Sequence, residues 1–427
     1  MKKQHRLTSE EEQELIHLTK ELIKIPSTVK DGKTIYTYVE HYLKERNIKI
    51  SNQTIPSSSI EYYNFPNLYV KIGNGKGPKI MLNGHLDTVS AKWPERWRHP
   101  PFQAVEEDGK IYGRGAADMK AGCAAAILTL LALQKRKKEI KGELFLSLVF
   151  GEEAPFSLGT DILLREFDIS DYQLAIIPEP SPLLTLNDYC CFHRRVHKSR
   201  FPVAIIGAEG RMVLEIEFHG KAVHASHPTQ GINALHDASQ LITELSRFNV
   251  YSNITRGRGD YVILNIEGGD PTFTVPDYCK ILVNRQMVLG ENVKSVIREI
   301  KKIIRELRLK STINIYQRQS PDPGLEYRPY VSKNNSYIDL FMEKIVNIDP
   351  PEKIENGKKP LGLFNSSNCQ FITRSVGDFN LVATRAQIPT IVFGPGGGNI
   401  HACNEFVYIH DLVATANHLV NYLMEIL

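Results

Sequence analysis

Residues 83–91 read NGHLDTVSA directly after the apolar run Ile80-Met81-Leu82. A turn that ends a buried strand needs the glycine, but neither the imidazole of His85 nor the carboxylate of Asp87. The pattern recurs: LFLSLVF and Gly151 run into Glu152 and Glu153, LAII and Pro178 into Glu179, and PTIVF with a Gly-rich turn into His401. Ligands of open α/β sheets bind in the crevice at the carboxyl ends of the strands, so strands that deliver His or carboxylate to that edge make a site. Asp118, in YGRGAADMKAG between a Gly-rich turn and an Ala-rich helix expected from about Met119, is a fifth candidate. The set His85, Asp118, Glu153, Glu179 and His401 offers nitrogen and oxygen only, donors that suit zinc, cobalt or manganese. With one carboxylate bridging, five such ligands can hold two metals roughly 3.5–4 Å apart. His85 would bind through one ring nitrogen and donate its other N–H to Asp87, which fixes tautomer and orientation. Adjacent glutamates do not share one job. Glu153 is expected as a ligand and Glu152 as the general base that takes a proton from a metal-acidified water and hands it to a leaving nitrogen, which is amide hydrolysis.

The elements that must position these residues alternate between strand and helix. SEEEQELIHLTKELIKIPS predicts a capped helix, with Ser9 as N-cap and Leu15, Ile16, Leu18, Leu22 and Ile23 on its apolar side. Strand-like runs NLYVKIG, KIMLNG, LFLSLVF, LAII and PTIVF with helical stretches between them predict an α/β sheet. The middle of the chain differs. RMVLEIEFHG alternates strictly, a helix is expected at 232–247, strands follow in DYVILNI and CKILVNRQMV, then a helix in ENVKSVIREIKKIIREL and a strand in STINIYQ. This β-α-β-β-α-β succession reads as a ferredoxin-like α+β domain at 209–320, inserted into a catalytic domain of 1–208 and 321–427.

Composition sets limits on partners. The chain has 427 residues, 42% hydrophobic and 23% charged, enough for more than one domain. Lys+Arg at 52 against Asp+Glu at 48 leaves +4, with no basic block interleaved with aromatics, so no nucleic-acid partner is expected. Six cysteines (Cys123, Cys190, Cys191, Cys279, Cys369, Cys403) form no CxxC pair, which favours a reducing compartment. The start lacks an apolar leader and the apolar stretch at 123–133 is too short to span a bilayer. A cytoplasmic protein without a membrane partner is expected. His193 and His197 in HRRVH have i, i+4 spacing but lack the glutamate of HExxH, and a solvated basic patch is the simpler reading. GPGGGN at 394–399 lacks the GK[ST] ending of a phosphate loop and is read as letting backbone approach the metals.

The motifs GHLDTV, GRGAADMKAG, GEE, PEPS and GPGGGNIHACNE, in this order, resemble the dinuclear metal amidohydrolases and exopeptidases that include acetylornithine deacetylase, succinyl-diaminopimelate desuccinylase, aminoacylase and glutamate carboxypeptidase. The resemblance implies a zinc-exopeptidase-like catalytic domain with the 209–320 insertion as a lid that dimerises, and two divalent ions, zinc or cobalt. It implies Asp118 as the bridging ligand, with His85 and Glu179 on one metal and Glu153 and His401 on the other. In GKAVHASHPTQGINAL, His224 resembles the histidine that reaches across a homodimer to stabilise the tetrahedral oxyanion. Asn265 and Arg285 resemble lid residues that contact substrate, Arg285 by gripping a carboxylate. The chain departs from the family pattern at SVGDFN (375–380), where relatives carry a Gly-Gly-Thr-Asp segment, and in the extra residues NDYCCFHRRVHKSRFPVAI. The expected substrates are N-acyl amino acids. Dipeptides, as for a dipeptidase or carboxypeptidase, and an N-formyl aminopyrimidine, as for a deformylase, are the alternatives, with a non-enzymatic binding protein the remote one.

Overall fold

The computed structural model describes residues 5–28, 31–53, 67–136, 140–153, 157–181, 204–247, 250–251, 258–269, 272–318, 326–332, 335–345 and 371–427. His193, His197 and most of the extra segment lie outside them. The chain divides into two compact units, one of residues 1–207, 331–373 and 377–427, the other of residues 208–330 with 374–376.

The first unit opens with helix Ser9–Lys24, whose N-cap is Thr8 rather than Ser9. Thr8 accepts the Glu11 N–H at 3.2 Å while the Glu11 carboxylate accepts the Thr8 N–H at 3.0 Å. Ser9 has Glu12 at the same spacing, but it is Thr8 whose extended backbone (φ −74°, ψ 164°) places it as N-cap and forms the T-x-x-E capping box. A nine-stranded mixed sheet follows. In it Asn67–Gly73 lies antiparallel to Glu143–Val149, and Glu143–Val149, Lys79–His85, Leu174–Ile177 and Thr390–Val392 run parallel in that spatial order. The parallel strands are buried almost throughout, which is why they read as continuous apolar runs rather than alternating ones. Their carboxyl ends share one edge. Helix Ala121–Gln134 packs against Ser9–Lys24 and the last helix, Ile409–Ile426. Together with the preceding turn it is the one described helix long and apolar enough to cross a membrane, and 94% of that window is buried in the protein's own core. Regular helix begins at Ala121, not at Met119. Asp118 (φ −118°, ψ 98°) and Met119 (φ −130°, ψ 31°) are non-helical, so Asp118 sits on an irregular turn.

The second unit is a five-stranded antiparallel sheet with two helices, Ala234–Arg247 and Val293–Leu307. Its four main strands run in the order Arg258–Gly268, Tyr278–Met287, Gly210–His219, Thr312–Gln317. Alternation along Gly210–His219 puts Met212, Leu214, Ile216 and Phe218 into a core shared with Ala238, Leu241, Val296 and Ile300. The amphipathic period of each helix matches the one apolar face the sheet offers it.

Candidate metal centre

His85 is the last residue of its strand and is buried. Its Nδ1 donates to the main-chain oxygen of Asp87 at 3.0 Å, which fixes the ring and turns Nε2 toward the carboxylates. Nε2 lies 3.2 Å from Asp118 Oδ1 and 3.2 Å from Glu179 Oε1. On the other side of Asp118, His401 Nε2 lies 3.3 Å from Oδ2 and 2.9 Å from Glu153 Oε1. Two groups of donors result, His85–Asp118–Glu179 and Asp118–Glu153–His401, each with all its donor atoms within 4.8 Å of one another. Asp118 belongs to both, one oxygen to each.

The carboxylate of Asp87 is placed differently from the sequence expectation. Its Oδ1 is 3.7 Å from His85 Nδ1, beyond a hydrogen bond. Instead Oδ1 accepts from the N–H of Gly151 (2.9 Å) and Glu152 (3.3 Å), and Oδ2 from that of Glu153 (3.0 Å). The histidine is oriented by the carbonyl of residue 87, whereas the carboxylate holds the turn that carries both glutamates. Glu152 belongs to neither donor group. Its Oε1 lies where a β-carbon on residue 377 would come within 2.9 Å, so the glycine of SVGDFN makes room for it. Gly394 similarly lies against the carbonyls of Pro178 and Glu179, at 2.2 and 2.4 Å from the position of a β-carbon. Asp378, the next residue after Gly377, is buried and accepts from Asn83 Nδ2 at 3.3 Å.

The electrostatics follow from burial and from the two histidines. Burial opposes charging His85, yet hydrogen bonds to Asp118 and Glu179 hold its pKa well above the usual imidazole range. Hydrogen bonds to Asp118 and Glu153 raise His401 to about 10. Burial, then repulsion from Asp118, pushes Glu179 up to about 8 and Glu153 upward. Burial also lifts Glu152 well above the carboxylate range, with Glu153 and Asp378 adding to it. Asp118 alone is lowered, because the two histidines outweigh its burial. Buried carboxylates in excess of the cations that face them, with only nitrogen and oxygen donors, fit divalent metal ions.

The second unit carries the other three expected residues. His224 is exposed, and its Nδ1 accepts the Ser226 N–H at 3.2 Å and lies 2.7 Å from Ser226 Oγ. Nε2 therefore carries the proton and is a donor. Asn265 sits at a break in register, with Nδ2 donating to Glu267 at 2.7 Å. Arg285 is the third. It is fully buried within its own unit, bonded to Glu291 at 2.6 Å and stacked on Tyr261 at 4.7 Å. One arm of its fork thus meets a carboxylate of its own unit, while its Nε has no hydrogen-bond partner among the described residues. Sequence reasoning quoted GPGGGNIHACNE without giving Glu405 a role. This residue is buried and bonded to Arg114 and to three main-chain N–H groups.

Residues 81–360 match the family model "Peptidase family M20/M25/M40", and the chain belongs to this family. It is 26% identical over 402 residues to a succinyl-diaminopimelate desuccinylase of Nitratiruptor sp., covering 92% of this chain and 94% of that one. To one of Orientia tsutsugamushi (strain Ikeda) it is 24% identical over 409 residues, covering 93% and 92%. Its fold is similar to that of a tripeptidase from Staphylococcus aureus (TM-score 0.71, 20% identity, covering 97% and 98%). It is also similar to that of a dinuclear metal-binding peptidase from Bacillus subtilis (TM-score 0.66, 15% identity, covering 98% and 99%).

Proposed function

From membership in that family as premise, we propose that the chain is a metal-dependent amidohydrolase that cleaves the amide bond of N-acyl amino acids. One observation carries the reading: two N/O donor groups share Asp118, and a further carboxylate, Glu152, stands beside them outside both. His85 and Glu179 would hold one ion, Glu153 and His401 the other, with Asp118 between them, and zinc or cobalt suits the donors. Bound there, two such ions supply Lewis acidity, which acidifies water and polarises an amide carbonyl. Glu152 acts as general base and acid. Burial lifts its pKa, the direction that suits a carboxylate that accepts a proton from water and releases it to the leaving nitrogen. Asp87 holds Glu152 and Glu153 at their stations through their main-chain N–H groups.

The second unit serves in this reading as lid and dimerisation domain. Strand Arg258–Gly268 is paired along one side by Tyr278–Met287, but along the other, among the described residues, only by Val250–Tyr251, at Arg258 and Gly259. Val262, Leu264 and Ile266 on it are 49, 51 and 49% exposed. An apolar strand with an open edge favours a second copy. His224, with Nε2 as donor, suits an oxyanion partner in that dimer, and Asn265 a substrate contact. Cys123, Cys279 and Cys403 are free thiols, in keeping with the cytoplasm.

The test is turnover of N-succinyl, N-acetyl and N-formyl amino acids, an N-formyl aminopyrimidine and dipeptides by protein loaded with zinc or cobalt. N-acyl amino acids are expected to give the highest kcat/KM. Preference for dipeptides would move the reading to an exopeptidase, preference for the aminopyrimidine to a deformylase. No turnover of any by metal-loaded protein would overturn the enzyme reading.

A further inference from the structure

Glu405 is fully buried, four residues beyond His401, and the chemistry outlined above makes no use of it. Its carboxylate is saturated with donors. Oε2 accepts from Arg114 Nη1 at 2.5 Å and from the Gly115 N–H at 3.0 Å, while Oε1 accepts from the N–H groups of Ala117 at 3.0 Å and Asp118 at 3.1 Å. Arg114, also buried, donates its other arm to the Ala402 carbonyl at 3.2 Å, and the Gly113 N–H donates to the Glu405 main-chain oxygen at 2.9 Å. Residues 113–118 and 401–405 thus close around one side chain. Neither segment is held by regular structure at its ligand. Asp118 has non-helical backbone, and His401 lies in a loop where it, Asn399 and Asn404 all take left-handed φ values of 60°, 58° and 59°.

We propose that Glu405 is a positioning residue for the metal centre, fixing the main chain of Asp118 against the loop of His401 and so setting the spacing of the two donor groups. This rests on the reading of those groups as metal ligands. Four donors converge on the carboxylate, so only an acceptor on both oxygens satisfies the site. A glutamine has nearly the same volume but sets an NH2 against two donors whichever way it is turned. A role confined to neutralising Arg114 would make no such demand. In that case removing both charges together repairs the loss.

The experiment is calorimetric titration of metal-free protein with cobalt(II), beside thermal unfolding of the same metal-free samples. It compares wild type, Glu405→Gln and the double variant Arg114→Met/Glu405→Gln. Wild type is expected to bind cobalt, and both variants to bind it on the order of 10–100-fold more weakly, even where the double variant regains part of the Tm that the single one loses. Wild-type affinity in the double variant would overturn the proposal and leave Glu405 as a counter-charge for Arg114. If the single variant does not fold, the double variant decides. If neither folds, Glu405 maintains the fold and the proposal falls. Absence of cobalt binding by wild type would instead overturn the ligand reading itself.

Discussion

The substitution Asp87→Asn separates two ways of building this centre. Asp87 accepts three main-chain N–H groups, those of Gly151 and Glu152 on Oδ1 and that of Glu153 on Oδ2. An asparagine does best with its oxygen at the Oδ1 position, which keeps two bonds and turns its NH2 against the N–H of Glu153. One buried donor left unsatisfied costs about 1–3 kcal/mol, and the two surviving bonds lose their charge assistance, roughly 1 kcal/mol each. Burial already holds the Asp87 carboxyl above its ordinary pKa, so relief from desolvating that charge offsets part of the loss. A net destabilisation of about 2–4 kcal/mol is expected. The bond lost belongs to Glu153, which meets His401 at 2.9 Å. The group Asp118–Glu153–His401 should therefore lose on the order of 10–100-fold in metal affinity. The group of His85 should not, because the carbonyl that orients His85 survives the substitution. Zinc titration by calorimetry reads the two steps, assigned with Glu153→Gln and Glu179→Gln as references, and thermal unfolding reads the stability. Weakening of the His85 step alone would refute this geometry and restore the carboxylate as orienter of the histidine. No change in either step or in stability would refute any role for it.

The remaining predictions concern base, assembly and pH. Glu152→Gln should keep both metals and lower kcat by about 10²–10⁴, whereas Glu153→Gln should weaken metal binding first; metal analysis beside steady-state kinetics checks both, and near-normal turnover of Glu152→Gln would refute the base. Wild type should sediment as the proposed dimer and Leu264→Lys, on the exposed strand, as a monomer, and mixed His224→Ala and Glu152→Gln protomers should regain partial activity if the histidine acts across that dimer. Buried His418, packed on Phe341 and Phe393 at 4.5 and 4.9 Å, has its pKa lowered to about 3 by burial and by Lys344. The unfolded chain takes up this proton near pH 6.5 and the folded chain does not, so stability is retained above pH 6.5 and lost as pH falls toward 3. The slope rises to about 1.4 kcal/mol per pH unit below the unfolded pKa, which makes about 1.6 kcal/mol between pH 6.5 and 5. Denaturant unfolding of wild type and His418→Leu at both pH values should show this excess loss in wild type only.

How far sequence reached follows from the range of each interaction. The strands were legible because burial on both faces leaves continuous apolar runs, and the donors His85, Glu153 and Glu179 were legible because such runs stop just before them. The inserted α+β unit was legible in the strict alternation of RMVLEIEFHG. Position along the chain could not show which atom of Asp87 meets His85, since carbonyl and carboxylate belong to one residue and only the turn at 151–153 decides between them. The partners of Arg285 were hidden for a similar reason: in sequence it is a cation at a strand end, and only the fold brings Glu291 and Tyr261 around it. Residues 374–376 fall with the second unit, far in sequence from 208–330. Arg374 there bonds Asp260 at 2.8 Å and Glu209 at 3.3 Å, contacts more than 100 residues long that no local pattern records.

The ligands and the carboxylates that place them pull stability in opposite directions. Asp118, Glu153 and Glu179 face one another at close range, and burial with mutual repulsion raises the last two, so that without a cation these two cost the fold free energy, whereas the two histidines lower Asp118. Asp87 and Glu405 face main-chain donors instead and hold the turns together. Neutralising a ligand such as Glu179 therefore removes repulsion and stabilises the metal-free protein while it weakens metal binding. Burial raises Asp87 as well, and Glu405 to about 7, but neutralising either also removes main-chain bonds, and losing those bonds lowers both. Metal binding then returns to the fold what the ligands cost it, by RT ln(1 + [L]/Kd) or about 2.7 kcal/mol for each site at a hundred times its Kd. A centre organised in this way makes metal affinity and fold stability rise together for Asp87 and Glu405 and trade against each other for Glu153 and Glu179, so the sign of the change in metal-free stability tells which of the two kinds of carboxylate a substitution has removed.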